Sequence, residues 1–349
     1  MSRASANPST TPATLVGWES LILADQPPDA AWRAIFARLR DVALAATNPA
    51  AMHRETIVPD RLLAESAWDL WQAFRTAGPK VIDGLREFWA SSSGVAGTAV
   101  LILDALSLRE LPLIVAGAKK RGVEPVRCEV RGSQVPTETD QFAQSLGLQS
   151  RSKLFNNQPP ASFLFGGPDT HTDVIDAPFA DCVAAVPTKP RLFLWHKWPD
   201  EPLIHLHADK VEGDTVVAAE IKKQLGPGVG SDGFWQFIDR LRQGRRLVIT
   251  GDHGYATASE FSSEIKDEDT IRAFAGAFGA QRAIREDPAT PWPRRHLPPP
   301  VLRFGDGPNP WLVVLGQRKW KVRGGFPTLC HRGLSLLEAA VPFIELPPL

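Results

Sequence analysis

Apolar residues recur every three or four positions from Trp18 to about Trp89. The pattern is clearest in AAWRAIFARLRDVALAA (30–46), DRLLAESAWDLWQAFRTA (60–77) and GPKVIDGLREFWA (78–90). That period predicts amphipathic helices, so the N-terminal region, residues 16–95, reads as all-helical. The polar, glycine-containing run SSSGVAGT (91–98) then breaks the pattern. After it, Ala99 to Leu103 is a short continuous apolar run ending in Asp104, the signature of a strand buried on both faces. Helix-like and strand-like segments alternate from there: 108–122 helical, 125–130 extended, 140–147 helical, 191–196 extended, 233–244 helical and 247–250 extended. Such alternation predicts an α/β architecture, with a mostly parallel sheet sandwiched between helices. The proline-rich segment 283–300 reads as an irregular connector, followed by strand-like runs in VLRF and WLVVLGQRKW. His331 is expected just before an amphipathic helix in LSLLEAAVPFIEL (334–346).

At 349 residues and 43% hydrophobic composition, the chain can bury a large core. Lys plus Arg and Asp plus Glu balance at 39 each, so no global basic field advertises nucleic acid. A local basic run, RQGRR (Arg242 to Arg246), reads first as a solvated helix end. Three scattered cysteines, Cys128, Cys182 and Cys330, without CxxC spacing, argue against a disulfide framework or a zinc knuckle and fit a reducing compartment. Residues 1–15 lack the apolar core of a signal peptide, and no later segment reaches the ~20 apolar residues of a membrane span. The expectation is a cytoplasmic protein with a disordered start, and no membrane partner.

Candidate chemistry clusters at the predicted strand ends. Asp104 ends the first apolar run; there it reads equally as a cation ligand or as a helix N-cap. In VPTETDQFAQSLG, Thr137 and Thr139 precede a helix: Thr137 with Asp140 imitates a capping box, and a threonine beside a cation could attack a phosphate. Asp252 and His253 close the run RRLVIT between Gly251 and Gly254, which permit the turn that would let both feed one ion, or two ions ~4 Å apart. The segment 192–210 holds His196, Asp200, His205, His207 and Asp209, and His331 opens the last segment. Zinc suits such mixed Asp and His ligands, with manganese second.

In this order the motifs resemble the alkaline phosphatase superfamily, and within it the PglZ domain associated with bacterial phage-defence systems. The resemblance runs over about 97–346: Asp104-Ala-Leu, Pro136-x-x-Thr139, Trp195 to Asp200, Ile249 to Gly254, His331-x-Gly-x-Ser335 and Val341 to Ile344. It implies an alkaline-phosphatase-like sheet in a domain spanning 96–349, and two divalent metal ions. Asp104, Thr139, Asp252 and His253 would form one site with Thr139 as covalent nucleophile; Asp200, His205 and His331 would form the other. The spacing from Asp200 to His205 is one residue longer than the family's, which keeps His207 as an alternative, and Ser107, with Arg109 nearby, stands where the family often has arginine. Glu138 and Asp140 flank the nucleophile, and Arg151 or Lys153 are candidates to hold substrate oxygens. The implied function is a phosphodiesterase or phosphatase acting on a phosphoester, a nucleotide or a nucleic acid among the candidates. The alternative is a defence-complex subunit that binds protein partners, a reading motivated in part by an exposed-looking, Trp-rich helical region.

Overall fold

The computed structural model describes residues 15–46, 49–91, 97–200, 228–257, 261, 263–292, 298–323 and 329–349. Helices come first: α1 (Leu15–Ile22), α2 (Pro28–Ala45), α3 (Pro49–Glu65), α4 (Trp68–Ala73) and α5 (Val81–Ala90). Then follow β1 (Gly97–Asp104), α6 (Leu111–Lys120), β2 (Arg127–Gly132), α7 (Thr139–Ser145), a 3₁₀ turn at Arg151–Asn157, β3 (Thr170–Ile175), α8 (Phe179–Ala185) and β4 (Arg191–Pro199). The rest comprises α9 (Asp232–Arg242), β5 (Arg245–Gly251), β6 (Ala256–Thr257), β7 (Ser263–Glu264), α10 (Glu268–Phe278), β8 (Ala283–Arg285), β9 (Val301–Phe304), β10 (Trp311–Val314), β11 (Arg318–Lys319), β12 (Leu329–Cys330), α11 (Leu336–Ala339) and β13 (Ala340–Leu346).

The central sheet runs β2-β13-β5-β1-β4-β3. Strands β3, β4, β1 and β5 are mutually parallel, and β13 lies antiparallel between β5 and β2. The two-residue period of β1 divides the core. Ala99, Leu101 and Leu103 join one apolar cluster with Leu39 of α2, Leu111 of α6 and Trp235 of α9, while Val100 and Ile102 join a second with Leu85 of α5 and Phe142 of α7. Helices therefore cover both faces of a mostly parallel sheet, as the alternating pattern predicts. Truncating one such central side chain costs on the order of 2–5 kcal/mol, so the middle of the sheet is a rigid base for the loops at its edge.

Helix α2 starts with Pro28 in its first turn and buries Trp32, Ile35, Phe36, Leu39, Val42 and Ala43 along one stripe. Trp71 and Phe74 lie with ring centroids 4.7 Å from Trp32. Trp18, Trp32 and Trp71 are all buried in the same cluster as the sheet residues. These three tryptophans are thus core residues, while Trp68 and Trp89 are half-buried and pack against the core, so the helical region does not present the tryptophan-rich exposed surface expected of it.

Three local expectations are corrected. The segment 60–77 is not one helix: α3 ends at Glu65, and Ala67 takes a non-helical backbone conformation before α4. The proline-rich connector begins with strand β8, paired to β10 at the edge of a small antiparallel sheet. The helix expected after His331 is a single turn, Leu336–Ala339, and the rest is strand β13, buried at every position. A continuous apolar run has no period to separate helix from strand, and Pro342 disfavours a helix interior.

Candidate active site

The sheet's connectivity sends the candidate residues to one edge. Asp104, Asp252 and Asp200 lie at or just after the carboxyl ends of three adjacent parallel strands, β1, β5 and β4. Strand β2 ends at the same edge, because Gly132 pairs with Ala340 at the start of β13, and it leads into the Thr139 loop. The segment carrying His331 enters β13 there too. Open α/β sheets place their crevices at this edge.

The distances are short. The Thr139 hydroxyl oxygen lies 3.2 Å from Asp104 Oδ1 and 3.3 Å from His253 Nε2. His253 Nε2 is 3.7 Å from Asp104 Oδ1 and 3.5 Å from Asp252 Oδ2. Asp104, Asp252 and His253 are fully buried, and each offers a ligand atom within 4.8 Å of the others. Thr139 is half-buried.

Local contacts aim these groups. The Ala105 amide donates to Asp252 Oδ1 at 2.9 Å, leaving Oδ2 buried without a hydrogen-bond partner. The Gly254 carbonyl lies 3.0 Å from His253 Nδ1, which assigns the proton to Nδ1 and turns the Nε2 lone pair toward Thr139 and the two acids. A side chain at position 254 is impossible, since a Cβ would stand 2.2 Å from the Leu337 carbonyl oxygen. Ala105 and Arg332 both adopt positive φ, 60° and 79°, the left-handed region that costs non-glycine residues about 1–3 kcal/mol, and each stands beside a candidate ligand.

His331 stacks on His253, with ring centroids 4.9 Å apart and planes 15° from parallel. Asp200 feels the same cluster. Burial raises its carboxyl above the ordinary range and the charge of Asp252 adds to this, while His253, Arg151 and Arg332 oppose it. His205, His207 and Asp209 lie outside the described residues. Among the described residues, Asp104, Asp252 and His253 form the group of three candidate ligands; no second such group forms around Asp200 and His331.

Other candidates have structural partners. His196 Nδ1 accepts from the Trp198 amide at 3.0 Å and Nε2 lies 2.9 Å from the Ala177 carbonyl, so neither ring nitrogen is available to a cation; burial holds its pKa down to about 4. Thr137 does not cap α7: its hydroxyl donates to the Gly333 carbonyl at 3.0 Å, and its own carbonyl accepts from the Arg332 amide. Glu138 pairs with Arg332 at 2.9 Å, and Asp140 is exposed, where solvent screens its charge. The Arg109 guanidinium stacks over Tyr255, 5.0 Å from the ring centroid. Arg151 contacts Asp104 Oδ2, whereas Lys153 is exposed. The RQGRR run is no free patch: Arg242 pairs with Asp239, Arg245 donates to the carbonyls of Leu241, Lys189 and Arg240, and Arg246 holds Glu345.

Several supporting residues carry no signal in the sequence. Glu338 accepts from Arg282, the Gly333 amide and the Ser335 hydroxyl, at 2.6 to 3.1 Å, and so shapes the segment after His331. Glu110 accepts from the Ser107 amide and the Tyr255 hydroxyl, joining the loop after Asp104 to the one after His253, and burial raises its carboxyl to about 7. The three cysteines are free thiols, and among the described residues no helix is long and apolar enough to cross a membrane.

No protein-family model matches the chain, and no curated protein matches it. Among solved structures it is similar to phosphonoacetate hydrolase from Sinorhizobium meliloti 1021 in complex with phosphonoformate, at 13% identity and a TM-score of 0.42, over 73% of this chain and 91% of that one. It is also similar to murine ectonucleotide pyrophosphatase/phosphodiesterase 5, at 14% identity and a TM-score of 0.39, over 72% of this chain and 88% of that one.

Proposed function

We propose that this chain is a metal-dependent phosphoester hydrolase of the alkaline phosphatase superfamily, of the PglZ type, with Thr139 as its nucleophile. The observation that carries the reading is the approach of one half-buried hydroxyl to two buried ligand groups, at 3.2 Å from Asp104 and 3.3 Å from His253. A divalent cation fits the donor set. Carboxylate oxygens and an imidazole nitrogen within 4.8 Å of one another match zinc, with manganese second. The buried, unbonded Asp252 Oδ2 is the kind of atom a cation satisfies, since an uncompensated buried carboxylate oxygen is costly.

Asp104, Asp252 and His253 would hold one ion, and Asp200 and His331, with His205 or His207, would hold a second. When bound, the cation supplies positive charge that lowers the pKa of the threonine hydroxyl and of the departing oxygen. Asp104 and His253 orient the Thr139 oxygen. That oxygen attacks phosphorus in line; the new O–P bond forms as the bond to the leaving alkoxide breaks, and the Thr139 proton passes to the acceptor beside it. Water then cleaves the O–P bond, releasing phosphate or a phosphomonoester and restoring the hydroxyl. Arg151 is better placed than the exposed Lys153 to meet substrate oxygens.

The substrate class is a phosphodiester or phosphomonoester, nucleotides and oligonucleotides among its members, and the setting is the cytoplasm of a bacterium, in phage defence. The alternative, a subunit acting through protein partners, loses one of its motives, because Trp18, Trp32 and Trp71 are buried; the longer spacing from Asp200 to His205 and Ser107 in place of arginine still motivate it. The test is hydrolysis of a chromogenic phosphodiester by chelator-treated protein given zinc or manganese. Wild type should turn over, and Thr139→Ala and Asp104→Asn should each fall at least a thousandfold. Equal rates in wild type and Thr139→Ala would sink the threonine mechanism.

A further inference from the structure

Asp104 is fully buried, and its two oxygens face different partners: Oδ1 the Thr139 hydroxyl, Oδ2 the guanidinium of Arg151. Arg151 opens the 3₁₀ turn Arg151–Asn157, whose backbone is fixed from below. Leu154 is buried, its carbonyl accepts from the Thr172 hydroxyl, the Asn156 amide donates to Asp173, and Asn157 Oδ1 accepts from the Thr172 amide. The Arg151 side chain is 26% exposed, so its anchored base leaves its guanidinium room to swing toward solvent. Glu138 already occupies the other nearby arginine, Arg332. Among the described residues, the carboxylates of Asp104, Asp200 and Asp252 thus share this edge with a single guanidinium directed onto a candidate ligand oxygen.

We propose that Arg151 is an exchangeable internal counter-cation: it neutralises Asp104 when no metal is bound and must leave Oδ2 for a divalent cation to bind. The inference rests on the metal-site reading above. A guanidinium and a divalent ion cannot both take one carboxylate oxygen, and in a partly desolvated site their mutual repulsion is strong. Metal affinity is therefore set by the competition for Asp104 as well as by the ligand atoms. Arg151 is a positioning residue in this role, and removing its charge should favour the ion while destabilising the metal-free protein, in which three acids would then face one another. Its field at Asp200, opposing the rise caused by burial, is consistent with such a role.

The test is calorimetric titration of the chelator-treated full chain with manganese(II), alongside thermal unfolding with and without the ion. Arg151→Gln should bind at least tenfold more tightly than wild type, unfold at a lower temperature without metal, and gain more from metal. Arg151→Lys, shorter and unable to form the fork, should fall between the two and carries the test if Arg151→Gln does not fold. Wild-type binding that Asp104→Asn abolishes but neither Arg151 variant tightens would overturn the counter-cation and leave the metal site standing. Absence of binding in wild type and both Arg151 variants would overturn the site reading and the inference together.

Discussion

The Arg332 guanidinium lies 2.9 Å from Glu138 Oε2, tying the neighbour of His331 to the neighbour of Thr139. The Arg332 amide donates to Thr137 and the Thr137 hydroxyl to Gly333, so three contacts stitch the two loops. Burial raises the Glu138 carboxyl above its ordinary range, and the Arg332 charge works against that rise. Arg332→Ala leaves a mostly buried acid without its cation, whereas Glu138→Gln leaves only a half-exposed arginine. In a double-mutant cycle read by urea unfolding, Arg332→Ala should cost more than Glu138→Gln, and the double variant should recover about 1 kcal/mol relative to additivity. Strict additivity would show that the pair is a surface contact only.

A second buried ion pair supports the same loop. Arg282 donates from Nε and Nη2 to Glu338 at 2.9 and 3.1 Å, both side chains nearly inaccessible, and Glu338 holds the Gly333 amide. Breaking one side of such a pair is far more costly than losing the pair, on the order of 3–5 kcal/mol. Arg282→Met should therefore destabilise the protein severely, and Arg282→Met with Glu338→Leu should recover part of that loss while leaving the His331 segment less well ordered. Urea midpoints and amide hydrogen exchange at 331–335 would measure both effects.

How much of this was legible follows from the physics of each signal. A short apolar run bounded by glycine or by polar turn residues is the signal that marked β1 and β5, and it placed Asp104 and Asp252 at the strand ends. It missed β13, where AAVPFI (339–344) is a continuous apolar run with no period to read. It also missed β3, THTDVI, whose outward positions are polar because the strand lies at the sheet edge. Thr137 and Thr139 could not be separated by chain position; the contact of Thr137 with Gly333, 196 residues on, does that. Long-range pairs such as Arg332 with Glu138 leave no local trace. The placement of Asp104 and Asp252 at strand ends was readable, but the frame around them was not.

Asp252 offers a test that separates metal binding from folding. One of its oxygens accepts from Ala105 and the other is buried without a hydrogen-bond partner. Asp252→Asn keeps the first contact and removes a buried charge. The metal-free variant should be as stable as wild type or more so, while its affinity for zinc or manganese falls at least tenfold. Correspondingly, chelation of metal-loaded wild type should remove about 2.7 kcal/mol of stability where the free ion stood at a hundred times its Kd, a loss the variant should not show. Thermal unfolding with and without chelator measures both.

Two buried acids make contributions to stability that should decline as pH rises from about 4 toward 8. Burial raises Asp60 from 3.8 to about 7 and Glu110 from 4.5 to about 7. Each is held protonated in the fold, so its contribution is complete below its unfolded value and is lost as pH climbs through 7. Each such group gives a slope of at most about 1.4 kcal/mol per pH unit. His196 works in the opposite sense at lower pH: its pKa falls from 6.5 to about 4, so its contribution is complete above 6.5 and is lost as pH drops toward 4. Between 4.5 and 6.5 the two kinds of group oppose each other; above 6.5 His196 adds no slope, and Lys80, whose ammonium burial holds well below its ordinary 10.5, opposes the acids instead. Asp60 also has a partner ready for its protonated form. Its Oδ1 accepts from the Leu336 amide and its Oδ2 from Gln317 Nε2, while Gln317 Oε1 has no partner; turning that amide over offers Oε1 to a protonated Asp60. Asp60→Asn makes that arrangement permanent. The variant should come closest to wild type near pH 4, exceed it by a margin that grows from there to pH 8, and show a shallower decline in urea unfolding, with the slope that Glu110 contributes removed by Glu110→Gln; a decline unchanged by both substitutions would mean that neither carboxyl is held protonated in the fold.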